Sequence, residues 1–205
     1  MVKRIIFDLD NTLIMWKDAY LEALKKTIDY YKLNIDYIEL NNYIEQYENY
    51  YLNYDKEKML LFLSKKINQK LSMDFLDMWL YELGYMADYD KDISDTLEYL
   101  SKKYELVVLT NWFKDSQVER LKTAKIEKYF KEIYAGEEVI KPSKESFLMA
   151  ASDKKIDECI MIGDSLKIDV EGALEVGMKA ILLDQNDEYN YEPKIKKIKD
   201  LKEIL

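Results

Sequence analysis

The chain has 205 residues and a net charge of −9, from 40 acidic against 31 basic side chains; this disfavours a nucleic-acid polymer as partner, because a polyanion needs compensating Lys and Arg. It contains no histidine, which excludes Ser-His-Asp and Cys-His catalysis and imidazole-ligated zinc. Carboxylates, lysine, hydroxyls and a hard metal ion are left to carry any chemistry.

With 48% hydrophobic residues, 5 Gly and 2 Pro, a globular chain without a low-complexity linker is expected. No apolar run approaches the ~20 residues of a membrane span, and Met1-Val2-Lys3-Arg4 leads straight into a short strand. The expectation is a cytoplasmic protein that has no membrane partner. The one cysteine, Cys159, sits in the apolar run Cys159-Ile160-Met161-Ile162 and reads as a buried, inert thiol.

The first predicted element is a buried strand over residues 2–8, carried by Ile5-Ile6-Phe7. Asp8 and Asp10 follow at its end. On a strand, side chains at i and i+2 share a side, and two like charges there repel by about 1 kcal/mol in water at ~4 Å. A cation, a proton on one carboxyl, or a loop bend that aims the second carboxylate elsewhere would offset that repulsion.

The pattern then turns helical. Ala19, Ala23, Leu24, Ile28 and Tyr31 fall at helical spacing, with Asp18 as the expected N-cap. A second helix starts at Asp36, with Glu39 three residues on as in a capping box, and presents a face rich in tyrosine. Asp55 opens a third, through Met59, Leu60, Leu63 and Ile67; Ser72 opens a fourth, through Leu76, Trp79, Leu80 and Leu83, which stops near Gly84.

From residue 90 helices and strands alternate. Helices are expected over 92–102, 115–125, 143–152 and 166–176, and strands over 106–109, 133–135, 159–162 and 180–183; a final amphipathic stretch over 193–205 packs back on the sheet. This alternation predicts a parallel sheet covered on both faces, with the first strand as a member. The expected fold is therefore α/β: a Rossmann-like parallel sheet with helices on both faces, plus an all-helical cap domain inserted after the first strand. The domains are residues 1–13 and 89–205 for the core and 14–88 for the cap.

Three more polar sites sit beyond strands or before helices. Thr110-Asn111 follows the second strand, Lys141-Pro142 precedes a helix, and Gly163-Asp164-Ser165 follows the Cys159 strand. In open parallel sheets ligands bind beyond the carboxyl ends of strands, where helix N-termini suit an anion. A dianionic phosphate fits such a place, with Lys141 as a point positive charge.

On these motifs the chain resembles the haloacid dehalogenase superfamily. Asp8-Leu9-Asp10-Asn11-Thr12 matches its first motif, Leu109-Thr110-Asn111 its second, and Lys141-Pro142 with Phe147 its third; Gly163-Asp164-Ser165 through Asp169, Gly172 and Ala173 matches its fourth. The helical insertion resembles the small cap of phosphoglycolate phosphatases, β-phosphoglucomutases and pyrimidine nucleotidases.

The resemblance implies a phosphatase of small phosphomonoesters, such as a nucleoside monophosphate, phosphoglycolate or a sugar phosphate. Asp8 would be the nucleophile and form an aspartyl-phosphate; Asp10 would be the general acid and base. Mg²⁺ would lie between Asp8, the backbone carbonyl of Asp10 and Asp164, with Asp169 as a further ligand or support. Thr110, Asn111 and Lys141 would hold the phosphoryl oxygens. True dehalogenases of the superfamily lack an acid at the Asp10 position, since halide leaves without a proton.

Two departures from the pattern stand out. Ile168 occupies a place where relatives often carry Asn, and Asn11 replaces the commoner Gly while tolerating a left-handed backbone. Trp16 and Trp112 are expected either to anchor the cap to the core or to face the leaving group. A phosphomutase of the β-phosphoglucomutase type is the nearest enzymatic alternative. A receiver-like phospho-accepting module is another, disfavoured by the long insertion after the first strand.

Overall fold

The computed structural model describes residues 1–51 and 53–205, with Lys17 and Asp18 described by backbone alone. Six parallel strands form its sheet: β1 Arg4–Phe7, β2 Glu105–Leu109, β3 Glu132–Tyr134, β4 Cys159–Gly163, β5 Lys179–Leu183 and β6 Lys194–Ile195, in the order β3-β2-β1-β4-β5-β6. The first strand lies in the middle, Ile5 opposite Leu106 on one side and Ile160 on the other. A strand with neighbours on both edges and helices on both faces has no solvent-facing side, which is why β1 reads as an unbroken apolar run.

Alternation within each strand sorts the side chains into two layers. Ile5, Phe7, Leu106, Val108, Ile160 and Ile162 face one way and pack on α5 (Lys91–Ser101) through Leu97 and Leu100, and on α6 (Lys114–Thr123) through Leu121. Ile6, Val107, Leu109, Met161 and Leu182 face the other way. There they meet Phe147, Ala150 and Ala151 of α7 (Lys144–Ala151) and Ala173 of α8 (Gly172–Glu175). Cys159 lies inside this second layer, buried as expected.

Among the described residues, four helices sit between β1 and α5: α1 Lys17–Tyr31, α2 Tyr37–Tyr50, α3 Lys56–Ile67 and α4 Met73–Gly84. They bury a cluster of their own, including Leu24, Leu40, Ile44, Leu63, Phe75 and Trp79. Trp112 and Phe113, which follow β2, join that cluster instead of the sheet layers. Side-chain oxygens of Asp36, Asp55, Ser72 and Asp90 accept from backbone N–H groups at the starts of α2, α3, α4 and α5, as their Asx and Ser chemistry favours.

Several expectations change in detail. The reciprocal half of the capping box at α2 is not made: the Glu39 carboxylate accepts from the Tyr43 hydroxyl at 3.1 Å. The expected cap of α1, Asp18, lies outside the side chains described, and the helix opens two residues earlier, at Lys17 behind Trp16. Residues 166–176 begin as a π-helical turn, Leu166–Glu171, before α8. The C-terminal stretch is not simply an amphipathic helix: Lys194 and Ile195 pair with β5 as β6, and only Leu201–Ile204 form α9. Two residues are too few to display a period, so the sixth strand left no pattern to read.

Candidate active site

The strand order reverses beside β1, between β1 and β4, and the loops leaving these strands enclose a crevice of the kind in which open parallel sheets bind ligands. Asp8 stands one residue beyond β1, its N–H donating to Ile162 of β4 at 2.8 Å. The chain then turns tightly, with the N–H groups of Leu13 and Ile14 both donating to the Leu9 carbonyl. Asn11 takes the left-handed conformation at φ 60° that its side chain tolerates, and its Oδ1 accepts from the Trp16 N–H at 3.2 Å.

That turn parts the two carboxylates. Lys141 Nζ donates to Asp8 Oδ1 at 2.7 Å and to Asp169 Oδ1 at 2.6 Å, whereas the Asp10 carboxylate is held by Arg120 and by Gln117 Nε2 at 2.6 Å. The repulsion expected from two neighbouring aspartates is thus met by a bend and by a separate cation for each. Burial pulls the Lys141 ammonium down, but Asp169 and Asp8 overcome it and hold the ammonium above the usual lysine range. Burial raises the Asp10 carboxyl, opposed by the Arg120 guanidinium and reinforced by Asp8.

Asp164 follows β4, and Asp169 lies in the π-helical turn, where its Oδ2 accepts from the Ser165 N–H at 3.1 Å. Oxygens of Asp8, Asp164 and Asp169 come within 4.8 Å of one another. Burial, with Asp8 and Asp169 adding, pushes the Asp164 carboxyl up to about 7. Burial also raises Asp169, against the pull of Lys141. Three carboxylates facing one ammonium leave two negative charges uncompensated, and Asp8 Oδ2 is buried without a hydrogen-bond partner. An all-oxygen donor set with that charge deficit fits a hard divalent cation such as Mg²⁺. The cradle is also tight: a Cβ on Gly163 would collide with the Asp169 carboxylate.

The remaining predicted residues sit less directly. The Asp10 carboxylate lies outside the three-carboxylate group, held by Arg120 and Gln117; the expected metal donor from this residue is its backbone carbonyl, a different atom. Thr110 is fully buried, its hydroxyl accepting from Gln117 at 2.7 Å and donating to Asp10 at 3.5 Å, so it faces Asp10 and not the cavity beside Asp8. Asn111 exchanges two bonds with the Lys141 backbone, at 2.7 and 2.8 Å, which steadies the lysine loop, and it also lines the cavity beside Asp8.

A cavity of about 210 Å³ opens over these groups, with Asp8, Asp10, Lys141, Asp164 and Asp169 at its floor and Trp16, Trp112, Tyr54 and Glu48 around it. Trp16 and Trp112 meet edge to face at 5.1 Å, and Trp112 also belongs to the helical cluster, so the pair packs the helical segment against the loop after β2 while lining the cavity. Sequence reasoning missed Gln117, Arg120, Glu48 and Tyr54. For the first two a signal existed: α6 turns Ser116, Gln117 and Arg120 inward, and polar residues three apart on a buried helix face need partners. Glu48 and Tyr54 offered none, since both look like surface residues of a polar stretch.

The profile of the haloacid dehalogenase-like hydrolases matches residues 5–183. N-acylneuraminate-9-phosphatase of Homo sapiens is 25% identical over 200 residues, covering 87% of this chain and 81% of that protein. The same enzyme of Rattus norvegicus is 28% identical over 117 residues, 55% of this chain, and there the match spans only about half, 47%, of the relative. Among solved structures, the HAD-hydrolase YfnB of Bacillus subtilis, bound to magnesium, has a TM-score of 0.79 at 18% identity, covering 100% of this chain and 98% of that one. The 2-haloacid dehalogenase of Pseudomonas syringae pv. Tomato DC3000 has a TM-score of 0.76 at 22% identity, covering 100% and 98%. At these identities the structural likeness establishes the shared fold alone.

Proposed function

The chain belongs to the haloacid dehalogenase-like hydrolase family, and from that membership we propose that it is a Mg²⁺-dependent phosphatase of small phosphomonoesters working through an aspartyl-phosphate on Asp8. The observation that carries the reading is the pair Asp8 and Asp10: one carboxylate oriented by Lys141 with its Oδ2 unpartnered, the other within the same cavity and kept apart from it. An alkoxide leaving group needs a proton and a halide does not, so an acid two residues from the nucleophile favours ester hydrolysis over dehalogenation. The names of the human and rat relatives support the same branch.

The Asp8 carboxylate attacks phosphorus and the ester P–O bond breaks, Asp10 giving its proton to the departing alkoxide. Asp10 then takes a proton from water as that water attacks the phosphorus, the bond to Asp8 breaks, and inorganic phosphate leaves. Burial suits Asp10 for the acid role by raising its carboxyl, but in the geometry described Arg120 and Gln117 occupy it. It must let go of them to reach the ester oxygen. Lys141 fixes the Asp8 carboxylate and places positive charge beside the phosphoryl group.

Asp8, Asp164 and Asp169 would hold Mg²⁺, which supplies charge neutralisation of the phosphoryl oxygens and lets an anionic ester approach an acidic site. Residues 14–88 act as a cap in this reading, because Glu48 and Tyr54 from that segment share a cavity with Asp8. The test is Asp8→Asn assayed for phosphate release from a panel of phosphorylated metabolites with Mg²⁺. Turnover should fall by at least about a thousandfold while the circular dichroism spectrum is unchanged. Retained turnover would refute the assignment.

A further inference from the structure

The wall of the cavity opposite the acidic floor is built from the helical segment. Glu48 lies near the end of α2, and the Tyr54 hydroxyl donates to its Oε1 at 3.4 Å. Around them stand the rings of Trp16, Trp112 and Tyr54, with Tyr54 packed edge to face on Trp112 at 5.1 Å. Lys141 is the only basic side chain that lines the cavity among the described residues, and Asp8 and Asp169 already engage it. Beyond the acidic floor and Lys141 the lining is three aromatic rings, the Glu48 carboxyl, Asn111, Ser165 and Ile168, so the part of a substrate that projects past the phosphoryl group finds no second cation to receive a negative charge.

We propose that Glu48 selects the leaving group, so that the substrates are phosphate esters of small uncharged polyols and carboxylated leaving groups are rejected. The inference rests on the phosphatase reading and adds the substrate class to it. Size points the same way, since about 210 Å³ falls below the roughly 300–1,000 Å³ of sites for drug-sized ligands and part of it must hold the phosphoryl group. Aromatic walls suit the C–H faces of a carbon chain or sugar. Burial pushes the Glu48 carboxyl up to about 7. Near neutrality it therefore exists in both forms: a hydroxyl, which can donate and accept, pairs with either, whereas the ionised form repels a carboxylate, so rejection of carboxylated esters should strengthen as pH rises above 7.

The experiment compares kcat/KM for glycerol 1-phosphate and 3-phosphoglycerate, which share a three-carbon skeleton and differ by a carboxylate, with phosphoethanolamine as a third arm. Wild type, Glu48→Gln and Glu48→Lys are assayed with Mg²⁺. The neutral ester should be preferred by at least about tenfold, the preference should shrink in Glu48→Gln, and it should invert in Glu48→Lys, where a cation replaces the like charge. Equal use of the two three-carbon esters, a ratio unmoved by Glu48→Lys, or a preference for phosphoethanolamine would each overturn the proposal.

p-Nitrophenyl phosphate separates this failure from failure of the phosphatase reading. Hydrolysis of that ester without discrimination between the others sinks only the role of Glu48. If no ester turns over, the same ratio is read as Kd from the fluorescence of Trp16 and Trp112, which line the cavity, in the Asp8→Asn protein. Equal Kd values would reject the selection itself.

Discussion

Arg120 is fully buried and ties three parts of the first loop together: its guanidinium pairs with Asp10, donates to the Met15 carbonyl at 3.0 Å and lies 5.0 Å from the Trp16 ring. Removing one partner of a buried ion pair strands the other, so Arg120→Met should cost about 3–5 kcal/mol in urea unfolding. Loss of the cation also raises the Asp10 carboxyl further, and the alkaline limb of the pH–rate profile should move to higher pH; a limb that stays in place would show that Asp10 is not the acid. Glu48 gives a second titration. Its carboxyl sits at about 7 against an ordinary 4.5, so the folded state holds the proton more tightly than the unfolded chain. The resulting stabilisation is complete below pH 4.5 and is lost as pH rises through 7. Glu48→Gln lacks that loss, and with the carboxyl half-buried the wild type should weaken against the variant by about 1–3 kcal/mol between those pH values. Parallel stability curves from denaturant titrations at pH 4.5 and 8 would contradict this.

At the scale of elements, what could be read in advance followed from local rules. Each long strand ends in a polar residue whose direction is set by the strand before it, so Asp8 and Asp164 were readable from an apolar run and its terminus. Asp10 and Arg120 are 110 residues apart in sequence, and Glu48 reaches the cavity only through the way α2 packs in the helical cluster. No local pattern encodes such meetings. β6 was missed because two residues carry no period, and the π-helical turn because its wider spacing displaces Asp169 from helical register. The junction of β4 with that turn is sensitive for the same reason. Gly163 has no Cβ where the Asp169 carboxylate passes, so Gly163→Ala should push Asp169 off Lys141. A stability loss of about 1–3 kcal/mol is expected, with kcat reduced more than KM. Full activity in that variant would mean that Asp169 has no part in the site.

Across the whole molecule, the acidic cluster stores repulsion that the fold alone does not relieve. Asp8, Asp164 and Asp169 crowd together with one ammonium, Lys141, pairing only with Asp8 and Asp169, and the Asp8 Oδ2 atom stays buried and unpartnered. A chain so arranged should be less stable without a cation than its packing warrants, and replacing Asp164 by the isosteric amide should relieve part of the strain. Asp164→Asn is therefore expected to melt above the wild type in EDTA. Added Mg²⁺ should reverse the order, because an ion that binds only the folded state stabilises it by about 2.7 kcal/mol at a hundred times its Kd. For a chain of 205 residues that is a rise of about 5–10 °C in Tm, and Asp164→Asn should show little of it. The measurement needs no substrate and no turnover. If Mg²⁺ raises both proteins equally, or neither, the three carboxylates do not form a metal site, and the acid cluster needs a different explanation from the one that joins the two sides of the sheet's central crevice.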